Sequence, residues 1–560
     1  MHYIERHLQQ QIIKLEKWTT ENGFTISKSK TVAMHFIPPY IKQGTQDWKP
    51  DPVLKLAGHN IEVVKETKFL GLIWDSKLNF RAHITYLRQK CMKAMNILRV
   101  LAHTDWGADQ TTLLQLYRAL IRSKLDYGCI VYGSASFTDL AKLDTIQNQA
   151  LRLCLGAFRS SPKASLAVQA NEPPLKYRRE KLTLQYGLKL KANPKIPSHK
   201  SVFPTSYRYG QCTVHANYND EPFRVRLQNL LDEAKIKVDD IAISEDLYEP
   251  PVWDMTPVEC LTHLAQHEKE HTLPQTYQIE YNITKSKYSD HHPIFTDGSK
   301  CDDKVAYACI TKDSTRAKRL PDGASIFTAE ASAFISALDY ANFSKEKKFI
   351  IFTDSLSLIQ SIENENVKNP LVVTIFKKIK SIQDQGKELV FCWVPGHCGI
   401  DGNERADRAA KEALNKTITP VKLPFTDRTP LIRSHLLKKW QTEWDKEKDK
   451  LNKLYEIQPK IGPPFLVNSC RKDQVVINRI RIGHTRLSQS YLMEGVPWSE
   501  CCFCDSGDNL SVKHVLIDCE HFADIRSDYF NASNMKELFD KVKVENIIGF
   551  LRETALYRLI

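Results

Sequence analysis

Ile294-Phe295-Thr296-Asp297-Gly298-Ser299 and Phe349-Ile350-Ile351-Phe352-Thr353-Asp354-Ser355 are two apolar runs that each arrive at a carboxylate. Each reads as a strand, and if the two are neighbours Asp297 and Asp354 stand side by side at the rim of a sheet. Between them Thr328-Ala329-Glu330-Ala331 opens a helix in which Ala329, Ala333, Ala337 and Ala341 recur every four residues. Such a small-residue stripe lets a helix lie close on a sheet, with Glu330 one position off the stripe and aimed along the seam. Further on, Trp393-Val394-Pro395-Gly396-His397 reads as a loop holding one histidine, and Asn403-Glu404-Arg405-Ala406-Asp407 as the start of a last helix. Carboxylates converging from these elements could not all stay ionised without a cation. Hard oxygen ligands suit Mg²⁺ or Mn²⁺. Two such ions about 3.5–4 Å apart clamp the attacking water and the leaving oxygen of a phosphodiester. Singly, each position has a plainer reading: a strand-end Asp as a turn residue, Asp407 as a complement to the helix dipole with Asn403 as its N-cap, His397 as an exposed loop residue. The ordered set favours catalysis.

These motifs, in this order over about 120 residues, resemble the ribonuclease H type 1 family. The wording is closest to the ribonuclease H domain of jockey- and I-like non-LTR retrotransposon polyproteins. The resemblance implies an α/β fold, a mixed five-stranded sheet with flanking helices, that cuts the RNA strand of RNA–DNA hybrids. It also implies that Asp297, Glu330, Asp354 and Asp407 are metal-binding carboxylates. Asp297 and Asp354 would bridge two ions, Glu330 would complete one shell and Asp407 the other, and His397 would assist proton transfer or product release. The products would carry a 3′-hydroxyl and a 5′-phosphate.

Outward from this stretch, 560 residues suggest several domains, each able to bury a core. A hydrophobic share of 42% with 26% charged residues is that of an ordinary soluble protein. No run of about eighteen apolar residues occurs, so no membrane span is expected. The polar start Met1-His2-Tyr3-Ile4-Glu5-Arg6 lacks a signal-peptide core. The expectation is an intracellular protein, nuclear or cytoplasmic and not secreted, whose 14 cysteines are reduced. The net charge is +13, and Arg81 to Lys200 alone holds 20 Lys/Arg against 7 Asp/Glu. One segment carrying the surplus of the whole chain favours phosphate contacts.

Ile4, Leu8, Ile12, Leu15 and Trp18 mark an amphipathic helix that Asn22-Gly23 ends, and Pro38-Pro39 closes a following loop and strand. Ile61 to Asp75 reads as a hairpin, and the pattern beyond Arg81 is helical. Asn22-Gly23-Phe24, Ser27-Lys28-Ser29-Lys30-Thr31, Phe69-Leu70-Gly71 and the basic helices resemble the last part of a retrotransposon reverse transcriptase: palm end, primer-gripping hairpin and thumb. The catalytic aromatic-x-Asp-Asp hairpin of a polymerase is not among these residues. Val238-Asp239-Asp240 lies after the thumb-like helices and reads as a polar linker or helix cap. Primer extension on a primed RNA template is expected to give no product from this chain.

Near the end, Cys501-x2-Cys504 and His514-x4-Cys519 have the spacing of a closed, structural Zn²⁺ site. Cys502 and His521 compete as ligands, and free buried thiols are the alternative. The Gly483-His484-Thr485 segment with this Cys/His set is similar to the tail after the ribonuclease H domain in the same retrotransposons. The expected division is 1–80 palm end, 81–190 thumb-like helices, 191–290 connector (with Pro250-Pro251 near its middle), 291–415 ribonuclease H, 416–475 helical linker and 476–560 Cys/His tail. The expected function is metal-dependent cleavage of RNA in RNA–DNA hybrids, with other nucleic acid as a further partner. The alternative is an inactive retrotransposon remnant that only binds nucleic acid. Oligomeric state is not legible.

Overall fold

The computed structural model describes residues 2–36, 51–204, 222–243, 257–267, 271–364, 369–495 and 497–560. Pro38-Pro39 and Pro250-Pro251 lie outside the described residues. The chain forms two compact units. One comprises Met1–Leu182, Gln211–Arg226 and Leu436–Ile560; the other comprises Thr183–Gly210 and Leu227–His435.

The second unit is built on a mixed sheet of β1 (Glu259–Leu261), β2 (His292–Cys301), β3 (Lys304–Ile310), β4 (Thr315–Leu320), β5 (Lys348–Thr353) and β6 (Glu388–Trp393). Their order is β4-β3-β2-β5-β6-β1, antiparallel across β4-β3-β2 and parallel from β2 through β1. The central strands carry consecutive apolar residues, Ile294-Phe295, Phe349–Phe352 and Leu389–Phe391, because both faces are covered, which is what parallel strands require. Ile294, Phe349, Ile351 and Phe391 point to one face, under helices α2 (Ile326–Phe343), α3 (Leu356–Glu363) and α4 (Pro370–Gln383). Phe295, Ile350, Phe352 and Val390 point to the other, with Tyr277 and Tyr281 of α1 (Pro274–Lys287) and Ala406 of α5 (Asp401–Ala413). Phe295 and Phe352 stack there with ring centroids 5.0 Å apart, a contact worth about 0.5–1.5 kcal/mol beyond its buried area.

The fold is the expected ribonuclease H-like one, and the sheet has one strand more than the five expected. The sixth, β1, pairs Glu259 with Val390 through Leu261 with Cys392, closing the edge of β6. It comes, with α1, from residues read in sequence as a connector. Three residues are too few to give an alternation signal.

In the first unit the helix His2–Glu21 forms as its periodicity predicts, and Gly23 at φ +73 ends it. Ile4, Leu8, Leu15 and Trp18 of its apolar stripe are exposed. The hairpin pairs Glu66–Phe69 with Leu72–Asp75 around Leu70-Gly71, both at positive φ, the turn whose twist matches that of the strands. Helices Arg81–Leu101, Gln110–Tyr117 and Phe137–Leu155 then bury Ile84, Met95, Leu113, Tyr117, Leu143 and Leu151 in one core. Val238-Asp239-Asp240, in the second unit, is a short 3₁₀ turn with nothing buried.

The helix Arg471–Ile482 is part of this first unit, and its polar residues are why. A helix leaves its last carbonyls without partners. Those of Phe137–Leu155 are met by Arg471, which donates to Cys154 O at 2.7 Å and Leu153 O at 2.9 Å. Asn478 donates to Leu155 O at 3.1 Å and to Gln110 Oε1 at 2.9 Å, and accepts from Gln169 Nε2 at 2.9 Å. All of these groups are buried, so removing one member strands the others. Asn478→Ala is expected to destabilise this unit by about 3 kcal/mol, read as a lower urea midpoint. An unchanged midpoint would mean the network contributes nothing net.

Candidate active site and Cys/His cluster

The register of the central strands sets the site. β2 and β5 pair in parallel up to Thr296 opposite Thr353, so Asp297 and Asp354 are the next residues along each. Only Asp354 lies past its strand's end. Asp297 sits within β2, which runs on to Cys301 because β3 pairs along it, with Asp297 opposite Ala308. The rim position of Asp297 is therefore defined against β5 alone.

Helix α2 brings in Glu330. Ala329, Ala333, Ala337 and Ala341 are all buried, as the stripe predicts. The approach is closest at Gly298, whose backbone N–H donates to Glu330 Oε1 at 3.0 Å. A Cβ on Gly298 would lie 2.8 Å from that oxygen and 2.9 Å from the Ala329 Cβ, so the position excludes any side chain. Carboxylate oxygens of Asp297, Glu330 and Asp354 come within 4.8 Å of one another. Asp297 Oδ2 and Glu330 Oε2 are buried without a hydrogen-bond partner. Two buried orphan oxygens beside a third carboxylate are the donor set a hard divalent cation takes.

Asp407 stands outside that trio. Its Oδ2 accepts from Lys411 one turn along α5 at 2.7 Å, and His397 Nδ1 is 3.8 Å away. His397 is exposed and holds φ +59, a strained conformation for a non-glycine residue. Asn403 is no N-cap: α5 begins at Asp401, leaving Asn403 buried in the first turn. Two features near Asp354 were not anticipated. Trp393 Nε1 donates to Asp354 O at 2.9 Å, and a Cβ on Gly396 would lie 2.8 Å from Asp354 Oδ2. Both residues sit in the Trp-Val-Pro-Gly-His run, where the loop and strand end meet.

Burial first, then the charge of Asp354, pushes the Glu330 carboxyl up to about 9 and raises Asp297 strongly as well. Without metal, the folded chain thus holds protons that the unfolded chain has lost above about pH 4. Their contribution to stability is full below that value and is lost as pH rises through the raised folded values. The metal-free second unit is expected to melt at lower temperature as pH rises from about 5 toward 9, with Mg²⁺ reversing the fall. An Asp297→Asn/Glu330→Gln variant should not share it. A fall that persists in that variant would place its origin elsewhere.

Far along the chain, Cys501, Cys504, His514 and Cys519 also bring one ligand atom each within 4.8 Å of the rest. Gly507 at φ +70 makes the turn between the two halves. Cys502 is exposed, and His521 stacks on Phe503, so neither competitor joins the cluster. Three thiols and an imidazole fit tetrahedral Zn²⁺ with no open position.

Residues 290–415 match the RNase H family. This stretch is an RNase H domain. Human ribonuclease H1 is 31% identical over 110 residues, 18% of this chain and 38% of that protein. Other relatives include proteins of retrotransposable elements. The 115 kDa protein assigned to the type-1 retrotransposable element R1DM of Drosophila melanogaster is 27% identical over 182 residues, 31% of this chain and 17% of that one. The RNA-directed DNA polymerase from mobile element jockey of Drosophila funebris is 25% identical over 150 residues, 27% and 16% of the two chains. The chain thus covers less than half the length of these relatives. No described helix is long and apolar enough to cross a membrane.

Proposed function

We propose that this chain hydrolyses the RNA strand of RNA–DNA hybrids endonucleolytically, with Mg²⁺ or Mn²⁺, as part of a retrotransposon-derived protein. The observation that carries this reading is the trio Asp297, Glu330 and Asp354, with the buried orphan oxygens of Asp297 and Glu330, inside an RNase H domain. When bound, divalent ions supply an activated water and neutralise charge on the phosphodiester. Asp297 and Asp354 would hold the ions from their neighbouring strands, and Gly298 N–H fixes the Glu330 carboxylate by engaging its Oε1. Asp407, on α5 and engaged by Lys411, would complete the shell of an ion from that side. His397, exposed beside Asp407, would carry a proton to the departing 3′ oxygen and let product go. Substrate choice rests on the 2′-hydroxyls and the shape of the hybrid rather than base sequence. The basic segment 81–200 holds other nucleic acid through phosphates.

We further propose that this chain cuts without synthesising DNA, since Val238-Asp239-Asp240 is a surface turn and not a strand-borne metal pair. The Cys/His cluster is proposed to hold structural Zn²⁺.

A panel of labelled RNA–DNA hybrid, double-stranded RNA and double-stranded DNA, incubated with the full chain in Mg²⁺, tests the reading. Cleavage confined to the RNA of the hybrid is expected. Cleavage of duplex DNA, or of all three alike, would overturn the substrate assignment.

A further inference from the structure

The helix that carries Glu330 begins on a side chain from outside the RNase H domain. α2 is capped by Ser325, whose Oγ accepts from Thr328 N–H at 3.1 Å. Asp427, beyond residues 290–415, completes that turn. Its Oδ1 accepts from Ser325 Oγ at 2.9 Å and from Thr328 Oγ1 at 3.0 Å, and its Oδ2 accepts from Ser325 N–H at 3.1 Å. The carboxylate is buried, at 4% exposure, and lies where the helix dipole favours negative charge. It belongs to a short 3₁₀ turn, Phe425–Arg428, held in place by its neighbours. Leu423 packs with Ala324 and Ala329, the residues flanking this first turn. Leu423 also donates its N–H to Asp240 O at 3.0 Å and accepts from Ala242 N–H at 2.8 Å.

Thr328 is two residues before Glu330. The remainder of α2 is fixed by Ala333, Phe334, Ala337 and Leu338 in the core, so its position along the sheet does not need Asp427. The first turn packs through Phe327 and, against Leu423, through Ala329, and Asp427 meets its polar groups. What Asp427 adds is the precise setting of that turn, and with it of Glu330 Oε2 in the trio.

We propose that Asp427 is a positioning residue for the Glu330 carboxylate: the segment following the RNase H domain clamps the first turn of α2 through Ser325 and Thr328 and so sets the metal-holding geometry. This rests on the reading of Glu330 as a metal-holding group. A purely structural strap would change stability alone. A positioning clamp changes metal affinity and turnover while hybrid binding stays the same.

The test uses the full chain, its Asp427→Asn variant, and Thr328→Val beside Thr328→Ser. Mn²⁺ binding is measured by calorimetry, and kcat and KM for a labelled hybrid are measured at fixed Mn²⁺. Residues that orient metal ligands change metal affinity or activity by about 10–100-fold. Asp427→Asn and Thr328→Val are expected to weaken Mn²⁺ binding about tenfold and to lower kcat, with KM for the hybrid unchanged. Thr328→Ser, which keeps the hydroxyl, should bind Mn²⁺ as the parent does. Folded Asp427→Asn with parental Mn²⁺ affinity and kcat would overturn the clamp, as would Thr328→Ser behaving like Thr328→Val. Should Asp427→Asn fail to fold, the Thr328 pair decides. A parent that binds Mn²⁺ without cleaving sinks the proposed activity, and the calorimetry still judges the clamp. A parent that binds no Mn²⁺ sinks both.

Discussion

Asp354→Asn is expected to lower cleavage of an RNA–DNA hybrid by at least about 10³-fold, the kinetic equivalent of roughly 4 kcal/mol of lost transition-state stabilisation. The substitution preserves shape and removes one charge. Asp354 is half-buried at the end of β5, and its backbone carbonyl is held by Trp393, so the fold has little reason to change. Its charge also helps raise Asp297 and Glu330, and removing it should let both ionise at lower pH in the metal-free chain. The variant is thus expected to be folded, no less stable without metal, able to bind hybrid, and unable to cut it. Parallel cleavage and filter-binding assays read all of this. Retained cleavage would mean the trio does not do the chemistry.

The second large effect is expected at the Cys/His cluster. Structural zinc contributes about 10–16 kcal/mol of apparent binding energy in small zinc-finger peptides at neutral pH. Around this cluster Leu510, Val515, Leu516 and Phe522 form a core together with Cys501 and Cys519. Few regular elements cross the segment 497–522, so a metal held there would carry much of its order. Cys519→Ser is expected to lose one zinc per chain by metal analysis and to lose hydrogen-exchange protection across that segment. Stabilisation of the RNase H domain by Mg²⁺ should persist in the same variant. Parent protein free of zinc, with protection unchanged by a chelator, would establish the cysteines as buried free thiols.

The site was legible because its residues lie in short local patterns. Apolar runs before Asp297 and Asp354 specify strands, and the alanine stripe specifies how near Glu330 can come. The hairpin at Leu70-Gly71 and the helix beginning at Arg81 were equally local. What escaped depended on partners far away in sequence. Glu259–Leu261 is a strand only because β6 offers it an edge. Tyr277 and Tyr281, four apart on α1, were the available sign that the connector covers a sheet face. Arg471 and Asn478 carry no local mark of the distant helix end they meet. Asp427 looks like any linker acid, and its three donors lie about a hundred residues earlier. Asp407 was expected among the other carboxylates, and the lysine one turn on engages it instead.

The proposed activity is metal-dependent cleavage of RNA in hybrids. Its most direct test is a Mg²⁺ titration of the full chain on a hybrid labelled at one RNA end. No cleavage is expected in chelator, with RNA products bearing 3′-hydroxyl ends appearing as Mg²⁺ is added and the DNA strand left intact. Folded protein that binds the hybrid and leaves the RNA whole at every Mg²⁺ and Mn²⁺ concentration would contradict it, and would make the chain a nucleic-acid-binding remnant.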